Sequence, residues 1–179
     1  MGLAPVVSAD RSSAAAATAT DEVEVLLATW NGAEHLDAQV DSIQSQSLRP
    51  IRVLVRDDGS TDGTAELLED LASRWPDWLI LLPPGPRLGS SGNFAALMMA
   101  STAPYLALAD QDDLWDHDKL ALSMEAMRNL EQRHSPRIPL LVHSDLRLIG
   151  GNGLPLAQSF LKHQHLNPHR CSSDALVLQ

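Results

Sequence analysis

The feature that most constrains this chain is a repeated alternation. A short apolar run of strand length is followed by a few turn-forming or acidic residues and then by a segment of helical period. The apolar runs lie at 23–28, 51–55, 79–82 and 105–109, with a fifth at 140–143. Between the first four, Leu36, Val40 and Ile43 share one helical face, as do Leu67, Leu68 and Leu71, then Phe94, Leu97 and Met98. After the fourth run, Leu120, Met124 and Met127 repeat the pattern. These Leu and Met stripes read as core. Asp62, Ser91 and Asp116 stand where they can cap the second, third and fourth helices. Strand alternating with helix predicts a mostly parallel sheet with helices on both faces. Right-handed crossovers then put all strand C-termini on one edge, outside which such folds bind ligands.

The residues at the two edges differ in kind. At the predicted ligand edge stand Thr29-Trp30-Asn31-Gly32, Asp57-Asp58-Gly59-Ser60, Pro83-Pro84-Gly85-Pro86-Arg87-Leu88-Gly89 and Asp110-Gln111-Asp112-Asp113. At the opposite edge stand Ser47-Leu48-Arg49-Pro50, Trp75-Pro76-Asp77 and Ser101-Thr102-Ala103-Pro104, which hold a single acid and read as plain turns. Acids and glycines thus gather where ligands bind, and this asymmetry argues for a site.

Charge narrows the choice of ligand. The chain of 179 residues carries 13 basic and 23 acidic side chains, a net charge of −10. That excludes the basic footprint of nucleic-acid binding and gives no electrostatic hold on anionic lipid. A phosphate ligand would need local compensation from a metal or from backbone N–H groups. Cys171 is the sole cysteine, so no internal disulfide forms, as suits a reducing, cytoplasmic compartment. No apolar run approaches the roughly 20 residues that cross a bilayer. Residues 1–21, rich in Ala, Ser and Thr, read as a disordered leader, and 22–179 as one α/β domain. His163, His165 and His169 have irregular spacing, so a zinc site is weaker than a solvated polar loop.

Three carboxylates within the four residues Asp110-Gln111-Asp112-Asp113 repel one another unless a cation or water solvates them. They suit a hard cation such as Mg²⁺ or Mn²⁺, which takes one or two carboxylates together with phosphate oxygens. They could equally form a solvated acidic turn before a helix. Asp58 could accept hydrogen bonds from a base or a ribose hydroxyl, or could belong to a turn built from Asp57-Asp58-Gly59-Ser60-Thr61-Asp62. Trp30 could stack on a nucleobase or pack over the sheet. Gly89-Ser90-Ser91-Gly92-Asn93 opens a helix whose N-terminus could receive a phosphate, although no Lys of a phosphate-cradling loop follows.

Together, Val25-Leu26-Leu27-Ala28-Thr29-Trp30-Asn31-Gly32, Arg56-Asp57-Asp58-Gly59-Ser60-Thr61-Asp62 and Ala109-Asp110-Gln111-Asp112-Asp113-Leu114-Trp115 resemble family 2 glycosyltransferases in order and spacing. The likeness runs from Glu22 to Gln179. Val142-His143-Ser144-Asp145-Leu146-Arg147-Leu148-Ile149 is similar to the rhamnosyltransferase-like branch, less specifically. The resemblance implies a GT-A, Rossmann-like fold and an inverting transferase that takes its sugar from a nucleotide-diphosphate donor. It implies that Ala28, Thr29, Trp30, Asn31 and Asp58 line the base and ribose pocket and that Asp112 approaches the ribose. It implies that Asp113, with Asp110 and Asp112 beside it, holds the divalent metal, and that Asn93 faces the diphosphate. The acceptor would be a glycan or a lipid-linked glycan, assembled at the inner face of the membrane.

Family members place the catalytic base well after the acidic motif, and no matching acidic element follows here. Asp145 is the late carboxylate nearest a strand end, and a capped turn is its plainer reading. The domain is therefore expected to be incomplete on the acceptor side, with the chain ending at the start of another strand, Asp174-Ala175-Leu176-Val177-Leu178-Gln179. A module that binds nucleotide without transferring sugar is the competing expectation. A receiver-like phosphoacceptor domain would need an acidic pair after the first strand, where Thr29 and Trp30 stand.

Overall fold

A computed structural model of the chain describes residues 22–167 apart from Pro136 and Asn152. The expected leader at 1–21, the final strand at 174–179, His169 and Cys171 lie outside the described residues. Those described fall into two compact units, one up to Ala121 and the other from Leu122 onward.

The first unit holds four parallel strands: β1 (Val23–Thr29), β2 (Arg52–Asp57), β3 (Leu79–Leu81) and β4 (Tyr105–Asp110), in the order β3-β2-β1-β4. Three helices link them: α1 (Ala33–Gln44), α2 (Thr64–Arg74) and α3 (Gly89–Ala100). A fourth, α4 (Lys119–Glu131), begins in this unit and runs into the second. The strand order follows from chain direction. β1 to β3 step outward one strand at a time, so right-handed crossovers put α1 and α2 on one face. The chain then returns past β2 and β1 to lay down β4, and the same handedness puts α3 on the opposite face.

The apolar patterning fills both faces. Leu26, Ala28, Leu54 and Leu97 form one cluster, with Ile80, Leu82 and Phe94 packed against it. Val25, Leu27, Val53 and Val55 point the other way along the same strands and are buried too. Leu36, Val40 and Ile43 of α1 and Leu68 and Leu71 of α2 are buried as their spacing predicts. Met98 departs from its predicted face. It lies exposed near the end of α3, and the buried partner of Leu97 on that helix is Asn93. On the edge strand β4, Leu106 and Leu108 are also exposed. At the bottom of the sheet the buried Glu24 carboxylate pairs with Arg52 and accepts from the Ser101 hydroxyl.

The helix starts are capped differently from the sequence expectation. Gly63, in the left-handed region at φ 94°, opens α2, and Asp62 accepts from the Thr64 N–H at 3.1 Å from one place further back. The other Asp62 oxygen accepts from Ala33 N at the start of α1. Ser91 already lies inside α3, which begins at Gly89. The acceptor there is Asp58 from the β2 loop, which takes the Leu88 and Gly89 N–H groups at 2.7 and 2.8 Å. α4 begins at Lys119, whose N–H donates to the Asp116 carbonyl at 3.0 Å.

The second unit corrects one prediction outright. The run at 140–143 forms no strand beyond a lone bridge at His143, and Leu141 is 64% exposed. A strand needs continuous pairing and a buried face, and this segment has one bridge and no buried residue. The strands of this unit are β5 (Leu148–Ile149) and β6 (Pro155–Ala157), an antiparallel pair closed by a turn in which Gly153 N donates to Gly150 O. A short helix, α5 (Phe160–His163), follows. No helix among the described residues is long and apolar enough to cross a membrane.

Candidate functional site

Because the chain reverses direction in the sheet between β1 and β4, the crevice outside their C-terminal ends is the place where a doubly wound fold opens to a ligand. A cleft of about 180 Å³ lies there, lined by residues from four loops. The β1 end supplies Ala28, Thr29 and Trp30, and the β2 loop supplies Asp58. The loop before α3 and its first turns supply Arg87, Gly89, Ser90 and Asn93, and β4 supplies Asp110, Gln111 and Asp112. Of the residues expected to form the site, Asn31 and Asp113 are not in this lining.

Asp57 and Asp58 do different work. Asp57 ends β2 opposite Thr29, whose hydroxyl donates to it at 2.9 Å. Its other oxygen accepts from Gly59 N and Ser60 N, closing the turn. Asp58 turns inward and is buried. The Arg56 guanidinium donates to Asp58 Oδ1, to Asn93 Oδ1 and to the Pro86 carbonyl, at 2.8, 2.9 and 2.8 Å. Asn93 in turn donates to the Arg56 carbonyl at 3.0 Å. Burial raises the Asp58 pKa, but donation from Leu88 N, Arg56 and Gly89 N outweighs burial and leaves it below the usual carboxylate value. Asp58 and Asn93 therefore line the cleft as members of a closed ionic network that fastens α3 to the sheet.

Asn31 adopts φ 52°, a left-handed conformation that Asn tolerates. Its N–H donates to the Ser60 hydroxyl, and its side-chain oxygen accepts from Thr61 N. Asn31 thus braces the β1 loop against the β2 loop from outside the cleft. Trp30 is 44% exposed, and the Arg87 guanidinium lies 4.0 Å from its ring centroid. Trp30 and Arg87 both line the cleft.

In the acidic motif, burial first and then repulsion from Asp112 push the Asp110 carboxyl above its ordinary pKa. Asp113 is pushed up by burial, then by Asp110 and Asp112, with Lys119 opposing. These are oxygen donors under mutual repulsion, the condition that a divalent cation relieves. No three His, Cys, Asp or Glu among the described residues converge into a ready-made metal cage. His163 and His165 belong to no such cluster among the described residues.

Asp145, in the second unit, accepts from Leu146 N and Leu161 N at 2.8 and 3.1 Å. Burial raises its pKa, but hydrogen bonds led by Ser159 outweigh that and hold it below the ordinary value. A carboxylate so occupied at the start of α5 is a weak proton acceptor.

Two lining residues had no role assigned from sequence, Arg87 and Gln111. Arg87 is the one basic residue among the four ligand-edge segments, which was a readable signal. Gln111 was hidden inside the acidic motif, and its partner Trp30 is 81 positions away.

Comparison with known proteins identifies the family and the fold. Residues 24–133 match the family model described as glycosyl transferase family 2. An uncharacterized glycosyltransferase of Nostoc sp. is 27% identical over 138 residues, covering 77% of this chain and 40% of that protein. The dTDP-rhamnosyl transferase RfbG of Shigella flexneri is 30% identical over 105 residues, 56% of this chain and 36% of RfbG. Among solved structures, the mannosyltransferase PcManGT of Pyrobaculum calidifontis, in complex with GDP-Man and Mn²⁺, superposes with a TM-score of 0.53 at 29% identity. The match covers 58% of this chain and 31% of PcManGT. Staphylococcus aureus TarS 1–349 in complex with UDP gives 0.51 at 22% identity over 64% of this chain and 33% of TarS, a likeness of fold. The chain thus spans well under half the length of these relatives. With its parallel β3-β2-β1-β4 sheet, its ligand-edge cleft and a family match over most of its described residues, this chain has the GT-A fold and belongs to glycosyl transferase family 2.

Proposed function

We propose that this chain forms the donor-binding part of a glycosyltransferase that takes a sugar from a nucleotide-diphosphate carrier. The observation that carries the proposal is the convergence of Thr29, Trp30, Asp58, Asp110 and Asp112 on one cleft at the sheet's reversal point. Trp30 offers its ring to the base. Ala28, Thr29 and Asp58 flank the nucleoside, with Asn31 holding their loop. Asp112 faces the ribose, and Asn93 and the start of α3 lie towards the diphosphate.

Asp113, supported by Asp110 and Asp112, is the carboxylate proposed to hold Mg²⁺ or Mn²⁺. A bound divalent cation would neutralise the charge that builds on the departing nucleotide diphosphate. Burial, then mutual repulsion, raises the pKa of Asp110 and Asp113, a cost that a cation would relieve, and Asp110 and Asp112 of this motif line the cleft beside Asp113 in sequence. For the sugar we favour rhamnose on a dTDP carrier, supported by the likeness to RfbG. The competing base is guanine, since PcManGT binds GDP-Man. The acceptor proposed is a glycan or lipid-linked glycan of the cell envelope.

Calorimetric titration with dTDP, UDP and GDP, each with and without Mn²⁺, tests the reading. Metal-dependent binding of one of them is expected. A folded sample that binds none would remove the proposal.

A further inference from the structure

Gln111, the uncharged residue of the acidic motif, has no part in the donor-site reading above. Both ends of its carboxamide are committed to one residue. Oε1 accepts from Trp30 N at 2.6 Å, and Nε2 donates to Trp30 O at 2.8 Å. The β1–β4 ladder ends where Ala28 pairs with Asp110. Past that point the Gln111 side chain takes over the ladder's task, holding both main-chain polar groups of Trp30. The carboxamide also lies against the α-carbon of Gly32, where an added Cβ would overlap its Cγ, Cδ and Oε1. Gly32 has an ordinary negative φ of −120°, so an added Cβ would displace the Gln111 carboxamide without straining the backbone.

We propose that Gln111 is a positioning residue: it fixes the Trp30 main chain, and so the angle at which the ring meets a nucleotide base, from within the acidic motif. This rests on the donor-site reading. Because Gln111 occupies Trp30 N and O, base recognition at this wall falls to the face of the ring. The motif that would face ribose and metal and the residue that would face the base then move as one piece.

The test uses the full chain with Gln111→Ala, Gly32→Ala and the double variant. Binding of dTDP, UDP and GDP with Mn²⁺ is compared with binding of inorganic pyrophosphate with Mn²⁺. Gln111→Ala should weaken the preferred nucleoside diphosphate about tenfold, the worth of one net hydrogen bond. It should narrow the preference among bases and leave pyrophosphate unchanged. Gly32→Ala should reproduce that loss by displacing the carboxamide, and should add nothing in the Gln111→Ala background. A general structural role would weaken pyrophosphate equally, and independent roles would give additive losses; either result overturns the proposal. Wild-type chain that binds no nucleoside diphosphate sinks the donor-site reading and this proposal with it. Wild-type binding that is indifferent to Gln111 sinks this proposal alone.

Discussion

Asp58→Ala is the substitution whose consequences the structure specifies most fully. The wild-type carboxylate accepts from Arg56 Nη1, Leu88 N and Gly89 N in a site from which water is nearly excluded. Removing it strands a buried guanidinium, a change that typically costs roughly 3–5 kcal/mol. Arg56 keeps Asn93 Oδ1 and the Pro86 carbonyl, so the lower end, about 3 kcal/mol, is expected. At roughly 2–4 °C per kcal/mol for a chain of this size, Tm should fall by roughly 6–12 °C. Asp58→Asn retains an acceptor for Arg56 and should lose about 1–2 kcal/mol. The assay is urea unfolding without ligand, so that nucleotide binding cannot contribute.

The sign of the pH dependence follows from the lowered pKa. The carboxylate's stabilisation is fully present above the unfolded value of about 3.9 and is lost as pH falls through the lower folded value. The gap between wild type and Asp58→Ala should therefore be wide at pH 7 and close in acid. Adding Arg56→Met to Asp58→Ala should recover part of the loss, because the stranded charge is gone. A loss below about 1 kcal/mol for Asp58→Ala, or a gap that does not change with pH, would refute the network as described.

Other substitutions test the site and the fold separately. Asp113→Ala should abolish the Mn²⁺ dependence of nucleotide binding while leaving the unfolding midpoint near that of wild type; calorimetry with undiminished Mn²⁺ dependence would remove the metal assignment. Trp30→Ala should weaken nucleoside diphosphate by about 1–3 kcal/mol, the worth of one stacked base, and leave pyrophosphate unaffected. Gly89→Ala should lower stability by about 1–2 kcal/mol in thermal unfolding, because Gly89 adopts φ 73° with open space where a Cβ would stand, so the cost is backbone strain alone.

Periodicity made the first unit legible in advance. The four apolar runs became β1 to β4 within one or two residues, and Leu36, Val40, Ile43, Leu68, Leu71 and Leu97 are buried where their spacing put them. Such patterns record physics local to a few turns of chain: whether a segment can bury one face. The run at 140–143 satisfied the same local test and still formed no strand, because a ladder partner is not a local property. Nor could spacing alone separate two adjacent aspartates. Asp57 closes a turn while Asp58 reaches 30 residues on to cap α3, a task the pattern had given to Ser91.

The motifs of the candidate site were readable because each follows a strand in sequence, and a parallel sheet delivers every strand end to the same edge. Only the tertiary structure decided the order β3-β2-β1-β4, which brings the Trp30 and Asp110 loops side by side at the point where the chain reverses. It also decided that Gln111 would clasp Trp30, that Arg87 would cover its ring and that Asn93 would be buried against Arg56. Those contacts join residues from 37 to 81 positions apart. They depend on the register and twist of the assembled sheet, which no window of the sequence contains.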